Sequence, residues 1–200
     1  MQTSNCILIG LAAASLGAAH AQTYGVDQPI GTKPLRFLFG AGLTFGGDTM
    51  ATATYENGVE IDIDGGGTIV MHAGLDYRVS PEFSVQGTVG YHVDSASARN
   101  GDLRFERVPF ELLGYYHVND KVRAGGGLRF VTNTALRCSG ACRFGDEKFE
   151  DTTSAVAELE YMYTPRMGFK LRYVNDGFKE KTWGYRVKGD HVGLLANFYF

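Results

Sequence analysis

Eight stretches of this chain alternate apolar and polar side chains residue by residue, and no stretch of ten or more residues carries a convincing helical period. A period of two belongs to an extended strand with two different faces. The last stretch is the clearest. Phe200, Phe198, Ala196, Leu194 and Val192 fall on one face, with Tyr199, Asn197, Leu195, Gly193 and His191 on the other. The same rhythm begins at Leu35, where Phe37, Phe39, Ala41, Leu43 and Phe45 oppose Arg36, Leu38, Gly40, Gly42 and Thr44. It recurs over 68–78, 83–94, 107–118, 122–130, 154–163 and 167–173. Short turns at Val79–Glu82, Asn119–Lys121 and Thr164–Arg166 alternate with long segments at 46–67, 95–106, 133–152 and 174–190. The fold class is all-β.

Residues 1–26 carry no charged side chain. An apolar run from Cys6 to Ala19 ends in Ala19-His20-Ala21, which reads as a secretory signal peptide over 1–21 with Gln22 as the mature start. The run is too short to cross a bilayer, and it departs from the usual pattern in having no Lys or Arg ahead of it. Residues 22–34 are polar, contain two prolines and read as a periplasmic leader. Residues 35–200 suit one domain. The net charge of −3 argues against nucleic acid as a partner.

The aromatic residues are sorted by height. If the first strand rises from the periplasm, Phe37, Tyr77, Phe83, Tyr116, Tyr161, Tyr163, Phe169, Phe198 and Phe200 lie at one end of the outward faces. Phe45, Tyr91, Phe110 and Phe130 lie at the other. Two aromatic belts flanking an aliphatic band are what the two interfaces of a bilayer select. The core of a soluble sandwich has no reason to do so. Strands in lipid must pair every backbone group, so the expectation is an eight-stranded antiparallel up-and-down transmembrane β-barrel.

Register follows from the first hairpin. Glu56-Asn57-Gly58 is a hairpin signal. A three-residue turn pairs Tyr55 with Val59 and, continued downward, Phe45 with Ile69, Leu43 with Met71 and Phe37 with Tyr77. The segment 47–67 exceeds what a membrane strand needs, so a hairpin is expected to stand above the bilayer, with Val59, Ile61 and Ile63 in the lipid-face phase. Its unpaired edge would invite strand addition by a partner, unless Trp183–Val187 covers it. A break is expected near Gly189-Asp190, where the phase of the last strand reverses.

The inward phase collects Arg36, His72, Asp76, Arg78, Glu111, His117, Arg123, Arg129, Glu158, Glu160, Lys170, Arg172 and His191. Eight strands enclose a space just wide enough for side chains, and buried charges must be paired. The expectation is an ion-pair plug, with Glu111, Glu158 and Glu160 against Arg123, Arg129, Lys170 and Arg172. A narrow gated conduit along the same groups is the alternative. Cys138 and Cys142 sit in the third outer segment, where an oxidising compartment favours a disulfide closing a small ring. Glu60, Asp62 and Asp64 alternate on one face of the hairpin. A calcium ion uses such spacing, but a solvated acidic face is the expectation, and no cofactor is expected.

The signal peptide, the eight strands, the two belts and the terminal Phe200 together resemble the small outer-membrane barrels of the OmpA-transmembrane, OmpX and Opa-like type. That resemblance implies a non-enzymatic surface protein engaged in adhesion, host-factor binding or envelope integrity. It implies as partners the membrane lipid and lipopolysaccharide, a host surface protein, and the barrel assembly machinery, which would read Phe198 and Phe200 as an assembly signal. The rival class is a lipid A-modifying enzyme, acyltransferase or deacylase. Those families share the eight-stranded barrel and use a His and a Ser near the outer rim. Here His92, Asp94 and Ser95 cluster there, without either family's surrounding motif.

Overall fold

A computed structural model of the chain describes residues 34–54, 60–98, 101–140 and 145–200. The signal peptide, the leader up to residue 33, the hairpin tip with Tyr55 and Val59, and Cys142 lie outside them. The described strands are β1 (Leu35–Gly46), β2 (Thr49–Thr54), β3 (Glu60–Asp64), β4 (Thr68–Arg78), β5 (Phe83–Ala98), β6 (Gly101–His117), β7 (Val122–Gly140), β8 (Glu147–Lys148), β9 (Thr152–Thr164), β10 (Met167–Asn175), β11 (Gly177–Lys179), β12 (Arg186–Lys188) and β13 (His191–Tyr199).

Eight of these form the barrel in the order β6-β5-β4-β1-β13-β10-β9-β7, and the β6–β7 pairing closes the ring. The first and last strands meet antiparallel from Leu38 opposite Tyr199 to Gly46 opposite His191. Closure leaves no sheet edge facing lipid, which is the condition for strands to sit in hydrocarbon. Phe39, Leu43, Ile69, Val89, Leu112, Leu128, Leu171 and Leu194 are exposed on the outer wall, as the alternation predicts. The belts stand at its two ends, with the Phe83 and Tyr116 rings tilted against each other, centroids 5.3 Å apart, at the periplasmic one.

Three expectations need correction. First, the segments 95–106 and 133–152 are not simply polar loops. β5, β6 and β7 run 16, 17 and 19 residues and carry the wall well above the membrane. Their outer halves escape a search for apolar residues on the lipid-facing phase because the solvents change sides. On β6, Leu112 and Phe110 face out and Glu111 faces in. Beyond Arg107, Arg104 faces out and Leu103 and Phe105 are buried inside. A bulge between Glu106 and Val108 marks the change.

Second, the first hairpin does not continue the barrel's register. β2 and β3 pair Thr52 with Asp62 and Ala53 with Ile61, the register that a Tyr55–Val59 pairing extrapolates to. The barrel below pairs Leu43 with Ile69 and Phe37 with Leu75, two residues away from the expected partners. A slip of two keeps every side chain on its face, whereas a slip of one would not. The discrepancy is absorbed at a glycine joint. Gly46 and Gly47 have φ of 124° and 87°, which favour glycine, and a Cβ on Gly47 would lie 2.4 Å from the Gly66 nitrogen.

Third, the hairpin does not stand free with both isoleucines outward: Ile61 is exposed, but Ile63 is not. It tips over the mouth, so Ile63 is fully buried in a cluster with Ala96, Leu103, Phe105, Val131, Leu136, Phe149 and Phe178. Nor does Trp183–Val187 cover its edge. Arg186–Lys188 pairs with Gly177–Lys179 and meets the hairpin only at its foot, where Lys188 and Asp48 exchange hydrogen bonds; β12 and β13 are separated at Gly189-Asp190.

Candidate functional site

The barrel interior is built from the inward phase of the eight strands, and its ionisable groups lie in stacked layers. At the periplasmic end Arg36 donates to Asp76 at 2.6 Å. Arg123, on β7, donates to Asp76 and to Glu160 at 2.7 Å each, and also reaches Ser84, Gln86 and the Tyr199 hydroxyl. Tyr199 and Asn197 donate in turn to Glu160. One guanidinium thus ties β4, β5, β9 and β13 together.

In the middle layer Lys170 donates to the Tyr115 hydroxyl at 2.8 Å and pairs with Glu158 at 2.7 Å, while Tyr115 donates to the same carboxylate. Tyr115 fits because a glycine lies opposite. A Cβ on Gly125 would stand 2.3 Å from its ring. Glu111 accepts from Arg129 at 2.7 Å and from Arg172 at 2.6 Å. The second side of each guanidinium faces another acid: Asp176 lies 3.2 Å from Arg129 Nε, and Glu158 lies 3.5 Å from Arg172 Nε.

Near the outer end His92 lies between Thr44 at 2.8 Å, Arg107 at 3.1 Å and Arg129 at 3.2 Å, with the His191 ring 5.1 Å away. Arg107 is fully buried and lies under Phe105 and Phe178, 4.9 and 5.5 Å from their ring centres. Phe105, Phe149 and Phe178 meet edge to face above it. The lumen therefore consists of paired charge roofed by an aromatic cap. Arg36, Arg123, Arg129, Lys170 and Arg172 are paired with Asp76, Glu111, Glu158, Glu160 and Asp176, while Arg107 is held by His92 and the Gly67 carbonyl. Such groups tolerate burial only when matched this closely.

Of the residues proposed for the network, Arg36, Asp76, Glu111, Arg123, Arg129, Glu158, Glu160, Lys170 and Arg172 come together. Arg78 does not. It turns to the periplasmic rim and donates to the Ser80 and Pro81 carbonyls of the turn there. Sequence reasoning left out Arg107 and Asp176, though each shares the parity of an inward neighbour, Glu111 and Arg172. It also left out the phenols of Tyr115 and Tyr199, although both share the parity of the inward charges.

The rim candidates are not assembled into a catalytic group. His92 and Asp94 are buried inside, Asp94 accepts from the Asp64 amide and the Thr68 hydroxyl, and Ser95 is exposed on the opposite face of the same strand. Asp62 and Asp64 accept from Thr52 and Thr49, and no metal-binding grouping of His, Cys, Asp and Glu exists among the described residues. Cys138 is disulfide-bonded.

A family model described as the outer membrane protein beta-barrel domain matches residues 9–200. The chain belongs to this family. It is an outer-membrane protein, and its strands are membrane-spanning. No curated protein matches the barrel. Among solved structures it is similar to Ail, the attachment invasion locus protein of Yersinia pestis, in complex with the heparin analogue sucrose octasulfate. The identity is 13%, the match covers 83% of this chain and 96% of that one, and the TM-score is 0.50. It is also similar to Neisserial surface protein A, at 13% identity over 84% of this chain and 98% of that one, with a TM-score of 0.48. OprG from Pseudomonas aeruginosa shares 14% identity over 85% and 98%, with a TM-score of 0.45. At these identities the likeness is one of fold.

Proposed function

We propose that this barrel is a non-enzymatic surface protein whose outer cap holds a host or other extracellular partner, with adhesion as the principal role and support of envelope integrity as a consequence of its rigidity. The observation that carries the reading is Trp183. It is 82% exposed at the crest of the β11–β12 hairpin, in a turn ordered in advance of any partner. The Thr182 and Trp183 amides donate to the Glu180 carboxylate, Glu180 N–H donates to the Tyr185 carbonyl, and Gly184 takes a φ of 72°. A fixed, solvent-exposed Trp gains more from a partner than from water, and such residues anchor interfaces. Lys179, Lys181, Arg186 and Lys188 flank it in sequence, and a polar cleft of about 650 Å³ opens at the base of the same hairpin between Asp48, Glu150, Asn175 and Lys188. The exposed strands β2 and β3 offer a second element of the same crest. A lumen filled with ion-paired side chains supports a display role over a conduit, and the separation of His92 from Ser95 supports it over lipid A chemistry.

The test uses cells carrying the full chain, Trp183→Ser, or a chain in which a short turn joins Gly47 to Gly66. Adhesion to host cells and capture of sucrose octasulfate are measured for each. Both variants are expected to assemble and to lose binding. Normal assembly with full binding in both variants refutes the reading, and altered lipid A on mass spectrometry of cells with and without the gene would favour the enzyme.

A further inference from the structure

On the outer wall, just above the lipid band, β6, β7 and β8 bring three cations into line. Arg104 and Arg137 are direct cross-strand partners. Like charges so placed repel, and here they are held by one carboxylate: Glu106 takes an ion pair from each. Lys148 lies one row closer to the membrane, in register with Ala135, which itself faces Glu106. The Arg104 side chain is 49% exposed and the Arg137 side chain 63%. Two guanidiniums and an ammonium gather against Glu106 here, with Asp102 one step further out and the Asp146 carboxylate turned to the Cys138 amide beside Arg137.

Their height is fixed by Tyr91, a member of the outer aromatic belt. Its hydroxyl donates to Glu106 at 2.7 Å and accepts from Arg104 at 2.6 Å, and the Arg104 guanidinium stands 5.8 Å over its ring. The bonded Tyr91 hydroxyl, with Arg137 and Arg104 beside it, holds the Glu106 carboxyl below the ordinary carboxylate range, so the clamp stays ionised. Belt aromatics sit where acyl chains give way to headgroups.

We propose that Arg104, Arg137 and Lys148 form a binding site for the phosphate groups of an outer-leaflet glycolipid. Guanidinium forks match tetrahedral oxyanions in geometry as well as charge. The patch faces sideways into the headgroup layer rather than upward from the crest, which selects a lipid-borne phosphate over a soluble polyanion. Glu106 and Tyr91 are positioning residues. They aim the two arginines without contacting the ligand. The site is independent of the crest and of what binds there.

The experiment is native mass spectrometry of the folded, detergent-solubilised barrel with bisphosphorylated lipid A and with the same lipid stripped of phosphate. Wild type is expected to retain the phosphorylated lipid at least about tenfold better. The double variant Arg104→Gln, Arg137→Gln should lose most of that preference while keeping the heat-dependent gel shift of a folded barrel. Should the double variant fail to fold, Arg137→Lys keeps the charge but not the fork, and Lys148→Gln removes the third cation. Each is expected to lower the preference several-fold. Equal retention of the two lipids, or an undiminished preference in folded variants, overturns the proposal. Displacement of the lipid by micromolar sucrose octasulfate reassigns the patch to soluble polyanions and overturns it as well.

Discussion

Replacing Glu111 by Ala tests whether the lumen is held by paired charge or by water. Its carboxylate is buried and accepts from Arg129 at 2.7 Å and Arg172 at 2.6 Å. Removing one partner of a buried pair costs about 3–5 kcal/mol, because the other charge stays behind. Two guanidiniums lose their partner here, which argues for the upper end. Each keeps a second acid, however, Asp176 at 3.2 Å and Glu158 at 3.5 Å. The expected loss is therefore about 4 kcal/mol rather than twice that. With a urea slope of about 2 kcal/mol per molar, the unfolding midpoint should fall by about 2 M. The assay is reversible urea unfolding in lipid vesicles, followed by Trp and Tyr fluorescence and by gel mobility. A companion variant, Glu111→Met with Arg172→Met, removes the pair together and should recover much of the loss. A midpoint for Glu111→Ala within about 0.3 M of wild type would show that water already satisfies these arginines, and the account of an ion-paired lumen would be refuted.

Further outcomes are expected. Unboiled protein should migrate away from its boiled position on a gel, since a closed ladder resists detergent; identical mobilities would contradict the barrel. Gly40→Val should reduce folding yield, because even a Cβ there would lie 2.1 Å from Asn197 Oδ1 and 2.5 Å from His72 Nε2. Its cost is about 1–3 kcal/mol by the usual penalty for overpacking, and a yield equal to wild type would mean the interior rearranges freely. Glu106 titrates lower in the folded chain than unfolded, so its stabilisation is complete above the unfolded carboxylate value and is lost as pH falls through the lower folded value. Protease resistance of the cap should decline on acidification below roughly pH 5, and Glu106→Gln should flatten that decline. Reduction of the Cys138 disulfide should leave the gel shift intact and speed cleavage of the third outer loop.

The membrane half of the fold was legible because lipid imposes one rule on every strand. Apolar side chains such as Leu43, Leu112 and Leu194 face out, and the remaining parity must then hold the charges. The ion-pair partners follow from that parity together with the scarcity of room. The outer half was hidden for the same reason. Above Arg107 the apolar phase moves indoors, so Leu103, Phe105 and Leu136 look like isolated residues in a polar loop when judged by the rule that holds below. The two-residue offset in the first hairpin was invisible because both registers place every side chain on the same face. Arg107 was missed because no strand neighbour pairs with it by ion pair; the Phe105 ring of its own strand and the Phe178 ring of a distant one cover it instead.

The glycine joint at Gly46-Gly47 and Gly65-Gly67 carries a consequence for how such a surface changes over generations. Because the hairpin and the wall already keep separate counts, residues can be added to or removed from the extracellular module without transmitting a frame error to the part that must match the bilayer. Partner choice on the outside can then drift under one selection while the membrane portion stays under another. The same junction is a natural graft point, at which foreign hairpins of different lengths should be displayed on an unaltered wall.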